Sequence, residues 1–112
     1  MGIPAAGTIV TIDFPFSDLS ATKRRPALVL AQVSRGDIIL CQITSKAYSD
    51  PAAVPITLED FSSGQLNLKS FARPCKLFTA HSSLIRQEIA TLKLQKFSEV
   101  TGKLRALFSQ SG

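Results

Sequence analysis

The sequence predicts a mainly β domain, a small antiparallel barrel or rolled sheet that ends in one helix. Short β-branched and apolar runs recur along roughly the first 80 residues, and a helical period replaces them near the C-terminus. Strands in succession followed by a helix are typical of α+β architectures rather than of parallel α/β sheets. The 112 residues have room for a single domain, predicted over 1–112 with a flexible segment at 1–6.

Several runs share β-branched or apolar content and flanking turn residues, and we interpret them as strands. They are 8–14, 27–33, 37–43, 54–58, 70–72 and 75–79. Only a short turn separates the second from the third, so an antiparallel hairpin is predicted there. Pro55 lacks an amide hydrogen, which places the fourth strand at a sheet edge or a bulge. The strand at 75–79 is predicted to be the final one.

Helical structure is predicted near the C-terminus and in two short turns. A stripe of apolar side chains has the spacing of an amphipathic helix that begins near Lys96 or Ser98. The stripe consists of Phe97, Val100, Leu104, Leu107 and Phe108. A single helical turn ended by glycine is predicted at 59–64, and another short turn at 82–86.

Composition and charge exclude several classes of protein. An apolar content of 45% is too high for a disordered tail, and no apolar run approaches the roughly 20 residues of a membrane helix. The first residues lack the features of a secretion signal, and Cys41 and Cys75 are too few for a disulfide scaffold. We therefore expect a cytoplasmic protein with reduced thiols. A net charge of +5 favours a polyanion or an acidic partner.

Motifs for metal or cofactor binding are absent from the sequence, so no metal and no cofactor are expected. It contains no glycine-rich phosphate loop, no HExxH and no cysteine or histidine pair with metal-ligand spacing. His81 is the single histidine and is followed by two serines. This context favours a capping or surface role, with acid–base chemistry as the alternative.

Basic and hydroxyl residues lie at the ends of the predicted strands. Pro26 restricts the backbone of Arg25, which holds its guanidinium at the mouth of a buried strand in a form suited to phosphate. Thr44 and Ser45 end the neighbouring strand of the hairpin, and Arg73 also precedes a proline. If the sheet rolls up, these ends converge on a basic groove suited to a nucleic-acid backbone. That pattern by itself does not show catalysis.

Five stretches of the sequence, taken in order, resemble the MazF/PemK family of toxins from type II toxin–antitoxin systems. The similarity runs from about Gly7 to Phe108, and its most specific part is the arginine–proline strand that follows an IDFPF-like strand. The matching stretches are Gly7–Phe14, Lys23–Leu30, Ile43–Ser45, Gly64–Leu66 and Arg73–Thr79.

The resemblance implies a small SH3-like β-barrel of the type shared with the CcdB gyrase poisons, working as a homodimer. It also implies metal-independent cleavage of single-stranded RNA, often mRNA, which inhibits translation and growth. In that reaction the 2′-hydroxyl attacks the phosphate and leaves a 2′,3′-cyclic phosphate and a 5′-hydroxyl. The implied protein partner is a disordered acidic antitoxin that lies across the basic groove.

The resemblance also implies roles for individual residues. Arg25 matches the arginine of the family's RP motif, which is taken to assist proton transfer and stabilise the phosphate charge. Thr44 matches the hydroxyl residue that hydrogen-bonds the scissile phosphate, with Ser45 as its neighbour in the catalytic set. Arg73 matches an arginine used in some members. Those members carry an aspartate two residues later, where this chain has Cys75, a thiol whose pKa the basic neighbours are expected to lower.

A wider set of residues is expected to bind RNA by charge or by base stacking. The set consists of Lys23, Arg24, Lys46, Tyr48, Arg73 and Lys76. Solvated loop charges and ordinary loop packing are the alternatives for Lys23, Arg24 and Tyr48. For the whole protein, the alternatives to a ribonuclease are a non-enzymatic toxin of the gyrase-poison type and an RNA-binding barrel with impaired catalysis.

Overall fold

The structure, a computed structural model, describes residues 3–14, 23–46 and 50–110, with only the backbone for Phe14 and Lys23. Tyr48, predicted to stack on a base, lies outside the described residues. In the part that is described, no helix is long and apolar enough to span a membrane.

The described chain forms a curled, antiparallel, seven-stranded sheet in the shape of a half-barrel, followed by one helix. The elements in chain order are β1 Thr8–Phe14, β2 Lys23–Gln32, β3 Asp37–Thr44, β4 Val54–Ile56, β5 Phe61–Gly64, β6 Ser70–His81, β7 Ile85–Leu92 and α1 Leu94–Phe108. The strand order across the sheet is β4-β6-β3-β2-β1-β7-β5. The predicted mainly β fold with a C-terminal helix is confirmed, and β4, which contains Pro55, lies at a sheet edge as predicted.

Two details of the predicted strand set were wrong. The strand predicted to be the last is instead the second half of the long strand β6, and β7 follows it and pairs with both β1 and β5. The helical turn predicted at 59–64 is a short 3₁₀ turn at Leu58–Asp60 followed by strand β5. Three consecutive polar residues, 86–88, interrupt the apolar alternation of β7, and its register with β1 shifts twice. Its strand character therefore depends on its two neighbours more than on its own pattern.

The sheet buries apolar side chains on both faces. Ile9 and Val10 are adjacent in β1 and both fully buried, yet they belong to different clusters because successive strand residues point to opposite faces. The cluster of Ile9 includes Val100 of α1, so the helix covers that face. The cluster of Val10 continues through Ala27 and Leu40 on the other face. Burial on both faces explains the near-continuous apolar runs of β2 and β3.

Neither proline of the two arginine–proline pairs lies in a regularly paired part of its strand opposite β3. Pro26 precedes the first pair between β2 and β3, and Pro74 lies in a bulge of β6. Pairing of β2 with β3 begins at Ala27, so Pro26 is not required to donate a hydrogen bond to β3. In β6, Leu77 pairs with Cys41 and Arg73 pairs with Gln42, which leaves 74–76 as a bulge opposite β3. Both prolines thus occupy positions that a sheet tolerates.

Candidate functional site

A groove of about 370 Å³ lies at the ends of β2 and β3, and we call it the basic groove. One wall carries Arg24 and Arg25 from β2 together with residues 44–46 at the exit of β3, and segment 66–68 forms part of its lining as well. Among the described residues that line it, the charged side chains are those of Arg24, Arg25 and Lys46, and none is acidic. A groove of this kind attracts anions.

Arg25 and Thr44 both line this groove, Arg25 from β2 and Thr44 from the end of β3. The β2–β3 register pairs Ala27 with Gln42 and Leu28 with Cys41. Arg25 lies two residues before the first paired residue of β2, and Thr44 lies two residues after its partner in β3, so both are beyond the part in which these two strands pair with each other. A guanidinium and a hydroxyl group, both of which can donate to a phosphate, therefore lie on one groove.

The hydroxyl of Thr44 is oriented by the backbone at the end of β3. The amide of Lys46 donates a hydrogen bond of 3.2 Å to Thr44 Oγ1. Because the oxygen accepts this bond, the hydroxyl hydrogen remains available to donate to a bound anion. Ser45 and Lys46, both exposed, follow directly and line the same groove.

Arg24 is held at the rim of the groove by an acidic residue on β1. Its Nε lies 3.7 Å from Asp13 Oδ1, and Asp13 is directly opposite it in the β1–β2 register. Arg86 of β7 donates through Nη2 to the same carboxylate at 2.7 Å. The hydrogen bond from Arg86 is the largest cause that lowers the pKa of Asp13 below its ordinary value. The pair of guanidiniums around one carboxylate leaves this rim positively charged.

Arg73 does not line the basic groove, although its strand ends near it. Its Nε donates a 2.9 Å hydrogen bond to Asp50 Oδ2, and the side chains of Arg73 and Asp50 are 15% and 7% exposed. This bond is the main cause that lowers the pKa of Asp50 and raises that of Arg73. In the structure the guanidinium of Arg73 forms a largely buried ion pair with Asp50. RNA binding by Arg73 stays a prediction.

Asp50 was not among the functional residues predicted from the sequence. The sequence pattern around Asp50 predicts a local role only. An aspartate before a proline in a loop is typical of a turn in which the side chain accepts a hydrogen bond from a nearby backbone amide. The amide of Ala52 indeed donates to Asp50 Oδ1 at 2.9 Å. The partner on β6 is more than 20 residues away in sequence, and only the fold brings it to the carboxylate.

Cys75 shares the carboxylate of Asp50. Its Sγ donates to Asp50 Oδ2 at 3.1 Å, within the bulge of β6. The hydrogen bond to Asp50 is the largest cause that raises the pKa of this thiol, and partial burial adds to it. The prediction that its basic neighbours lower this pKa was wrong, because the acidic neighbour outweighs Arg73.

The other predicted residues have separate positions. Lys76 is exposed in the bulge and does not line the basic groove, and the structure describes no side chain for Lys23. His81 caps the 3₁₀ turn at 82–84, since its Nδ1 accepts a hydrogen bond of 3.1 Å from the amide of Ser83. The predicted capping role is confirmed. Over 3–14, 23–46 and 50–110, no three His, Cys, Asp or Glu residues group closely enough to hold a metal ion.

Known structures with the same fold include toxins and their complexes. A MazE–MazF structure from Deinococcus radiodurans is 26% identical, with a TM-score of 0.76 over 98% of this chain and 100% of the other. MazF alone from the same organism is 25% identical, with a TM-score of 0.75 over 98% of this chain and 100% of that one. An endoribonuclease from a mycobacterial species shares the fold at 12% identity, with a TM-score of 0.75 over 100% of this chain and 97% of that chain.

Family-level comparison agrees with these structural similarities and with the order of motifs along the chain. No match was found among curated protein sequences. The family model that describes a PemK-like, MazF-like toxin of type II toxin–antitoxin systems matches residues 5–108. This match includes every described strand, the helix and both walls of the basic groove. The chain belongs to the family of PemK-like, MazF-like toxins of type II toxin–antitoxin systems.

Proposed function

We propose that this toxin is a metal-independent endoribonuclease that cleaves single-stranded RNA, including mRNA, in the basic groove. The observation that carries the proposal is that Arg25 and Thr44 line the same groove, whose described charged residues are all basic. A guanidinium offers several fixed donors to a phosphate, and the hydroxyl adds another. The mycobacterial endoribonuclease of the same fold and the toxin family are consistent with this activity.

In the proposed reaction the 2′-oxygen forms a bond to phosphorus while the bond from phosphorus to the 5′-oxygen breaks. The 2′-hydroxyl loses its proton and the leaving 5′-oxygen gains one, which gives a 2′,3′-cyclic phosphate and a 5′-hydroxyl. Arg25 stabilises the negative charge that develops on the phosphate oxygens and assists the proton transfers. Thr44 donates its hydroxyl hydrogen to a phosphate oxygen, with Ser45 beside it.

Neighbouring charges bind the rest of the RNA backbone. Arg24 and Lys46 lie on the same groove and contact phosphates next to the scissile one. Contacts of this kind contribute affinity without reading sequence. Lys23, Tyr48 and Lys76 remain predicted RNA contacts.

An acidic antitoxin and a second copy of the toxin are the proposed protein partners. MazF of Deinococcus radiodurans is found in complex with MazE, and the net charge of +5 here suits an acidic segment that covers the groove and excludes RNA. We propose a homodimer as the working form. Light scattering after size-exclusion chromatography measures its mass, and a monomer at micromolar concentration would contradict it.

The activity is tested by incubating the purified toxin with a long RNA in EDTA and mapping the product ends. We expect cleavage in EDTA, with 5′-hydroxyl and cyclic phosphate ends. Arg25→Ala is expected to lower the rate by at least about 10²-fold, in the range found for single oxyanion donors, and Thr44→Val by less. The matched controls are Arg105→Ala on α1 and Thr79→Val on β6, both exposed. Uncleaved RNA, or equal rates in Arg25→Ala and the parent, would overturn the proposal.

A further inference from the structure

A second groove of about 600 Å³ adjoins the basic groove, and we call it the apolar groove. The two grooves share segment 66–68, which forms part of the lining of both. Leu58 and Leu68 line the apolar groove with 69% and 68% of their surface exposed. Exposed leucines that meet at one cleft mark a binding surface more often than isolated ones do. Its volume is within the roughly 300–1,000 Å³ of small-molecule sites.

The polar residues of the apolar groove are few and chemically distinct. Asn67 lines both grooves and offers an amide donor and an amide acceptor. Glu59 offers acceptor oxygens, and Lys69 adds a positive charge with its Nζ 6.0 Å from the ring centroid of Phe71. Apolar walls with a few hydrogen-bonding groups match a flat heterocycle that is apolar on its faces and polar at its edge.

We propose that the apolar groove binds the nucleobase of the nucleotide next to the phosphate held by Arg25. This proposal rests on the proposed function and adds the part of the RNA that the chain reads. The base lies against Leu58 and Leu68, and Asn67 and Glu59 hydrogen-bond its edge.

The connection between the two grooves and the positive side chains on them favour a nucleobase as the ligand of the apolar groove. A strand whose phosphate lies in the basic groove must place an adjacent base within reach of the shared segment 66–68. Positive side chains lie on both sides of the proposed base: Arg24 and Lys46 in the basic groove, and Lys69 in the apolar groove. They match the phosphates that flank every base in a single strand.

Glu59 makes the proposal specific for a class of base. A carboxylate can accept a hydrogen bond from an exocyclic amino group but cannot donate one. Adenine, cytosine and guanine each carry such a group, whereas uracil has none and its base edge offers a single donor, the ring N3–H, between two carbonyl oxygens. The groove therefore prefers amino-bearing bases over uracil.

The test measures binding to RNA that cannot be cleaved, so it does not depend on ribonuclease activity. The probes are fluorescein-labelled heptanucleotides with 2′-O-methyl sugars, carrying only adenine, only cytosine, only uracil, or no base. Fluorescence anisotropy gives each dissociation constant. The adenine and cytosine strands are expected to bind several-fold more tightly than the uracil strand, and the abasic strand most weakly.

Variants of the apolar groove separate base binding from phosphate binding. Leu58→Ala, at a residue that lines only the apolar groove, is expected to weaken binding of the adenine and cytosine strands about tenfold and to leave abasic binding unchanged. Glu59→Gln is expected to reduce the preference over uracil, and Leu94→Ala, exposed on α1, to change nothing. Equal effects of Leu58→Ala on intact and abasic strands would overturn the proposal. The proposal would also be overturned if a variant of the apolar groove bound every RNA strand as tightly as the parent does and failed only to bind an acidic antitoxin peptide. Failure of the ribonuclease itself is seen separately, as intact RNA in the cleavage assay.

Discussion

The carboxylate of Asp50 accepts hydrogen bonds from two residues of β6 and from one nearby backbone amide. Its side chain is 7% exposed and accepts from Arg73, Cys75 and the amide of Ala52. Removing one member of a buried ion pair leaves the other charge without compensation, which costs more than the pair contributes. Residues 50–52 are thereby anchored to β6.

Asp50→Asn is therefore expected to lower the thermal midpoint by about 10 °C. Glu99→Gln provides the matched control, because Glu99 forms a more exposed ion pair with Lys96 on α1. That change is expected to shift the midpoint by less than about 2 °C. Circular dichroism during heating measures both. Equal midpoints for Asp50→Asn and the parent would show that the ion pair does not stabilise the fold.

The same carboxylate predicts a pH dependence. Its pKa in the folded protein lies below the ordinary 3.8, so the folded state favours the charged form and stability is gained above the unfolded pKa. This contribution is complete above about pH 5 and is lost as the pH falls through 3.8 towards the folded pKa. The difference in midpoint between the parent and Asp50→Asn is expected to shrink over that interval. A difference that stays constant down to pH 2.5 would contradict the lowered pKa.

The two thiols are expected to differ in reactivity. Cys41 is buried, and desolvation raises its pKa to about 12, so it should resist alkylation in the native protein. Cys75 is exposed, but the hydrogen bond to Asp50 raises its pKa as well. Asp50→Asn is expected to speed alkylation of Cys75 at pH 8, because the thiolate is the reactive form. Mass spectrometry after iodoacetamide treatment measures both rates, with Cys75→Ser as the control for site assignment.

At the scale of elements, β5 depends on a glycine. Gly64 has φ +67° and pairs with Ala90 of β7, and an added Cβ would meet the carbonyl oxygen of Ile89. Neither the positive φ nor the backbone contact can be relieved by turning a side chain. The register of the β5–β7 pair already shifts by one residue between Phe61 and Ser63.

Gly64→Ala is expected to reduce the free energy of unfolding by at least about 2 kcal/mol. Gly102→Ala in α1 is the opposite case, since the nearest atom to the new Cβ is 3.9 Å away. That variant is expected to gain about 0.5–1 kcal/mol through helix propensity. Urea denaturation of both variants tests the pair of predictions. A stable Gly64→Ala would mean that β5 can leave the sheet without cost.

The elements with the strongest patterns were predictable. The alternation of β1, the apolar runs of β2 and β3, and the stripe of α1 each follow from local spacing and burial. β7 was not predicted as a strand because its polar residues 86–88 hide the alternation, and pairing with β1 and β5 supplies what the pattern lacks. Strand β5, Phe61–Gly64, was not predicted for a similar reason, because it is formed by pairing with β7.

At the scale of the molecule, charge position matters more than net charge. The net charge is +5, but only some of the basic residues lie on the basic groove. RNA binding is expected to weaken with salt, and each phosphate contact on a single strand contributes about 0.7 to the slope of log affinity against log salt concentration. Arg24→Gln should lower the slope by about that amount.

Lys103→Gln, exposed on α1, is the control with the same loss of charge. Its slope is expected to equal that of the parent. Titrations of a labelled single-stranded RNA at several salt concentrations measure the slopes. If both variants lower the slope equally, the long-range field of the whole protein, and not the groove, governs RNA binding.

The sequence alone determined the β-rich fold with its C-terminal helix, the family, and the strand ends that carry Arg25 and Thr44. These are local or one-dimensional properties, since periodicity, proline position and motif order can be read along the chain. Only the tertiary structure decided that Arg73 pairs with Asp50 and that the apolar groove adjoins the basic one. Both depend on residues distant in sequence meeting across a curled sheet, and such encounters are set by register and bulges that no local pattern encodes.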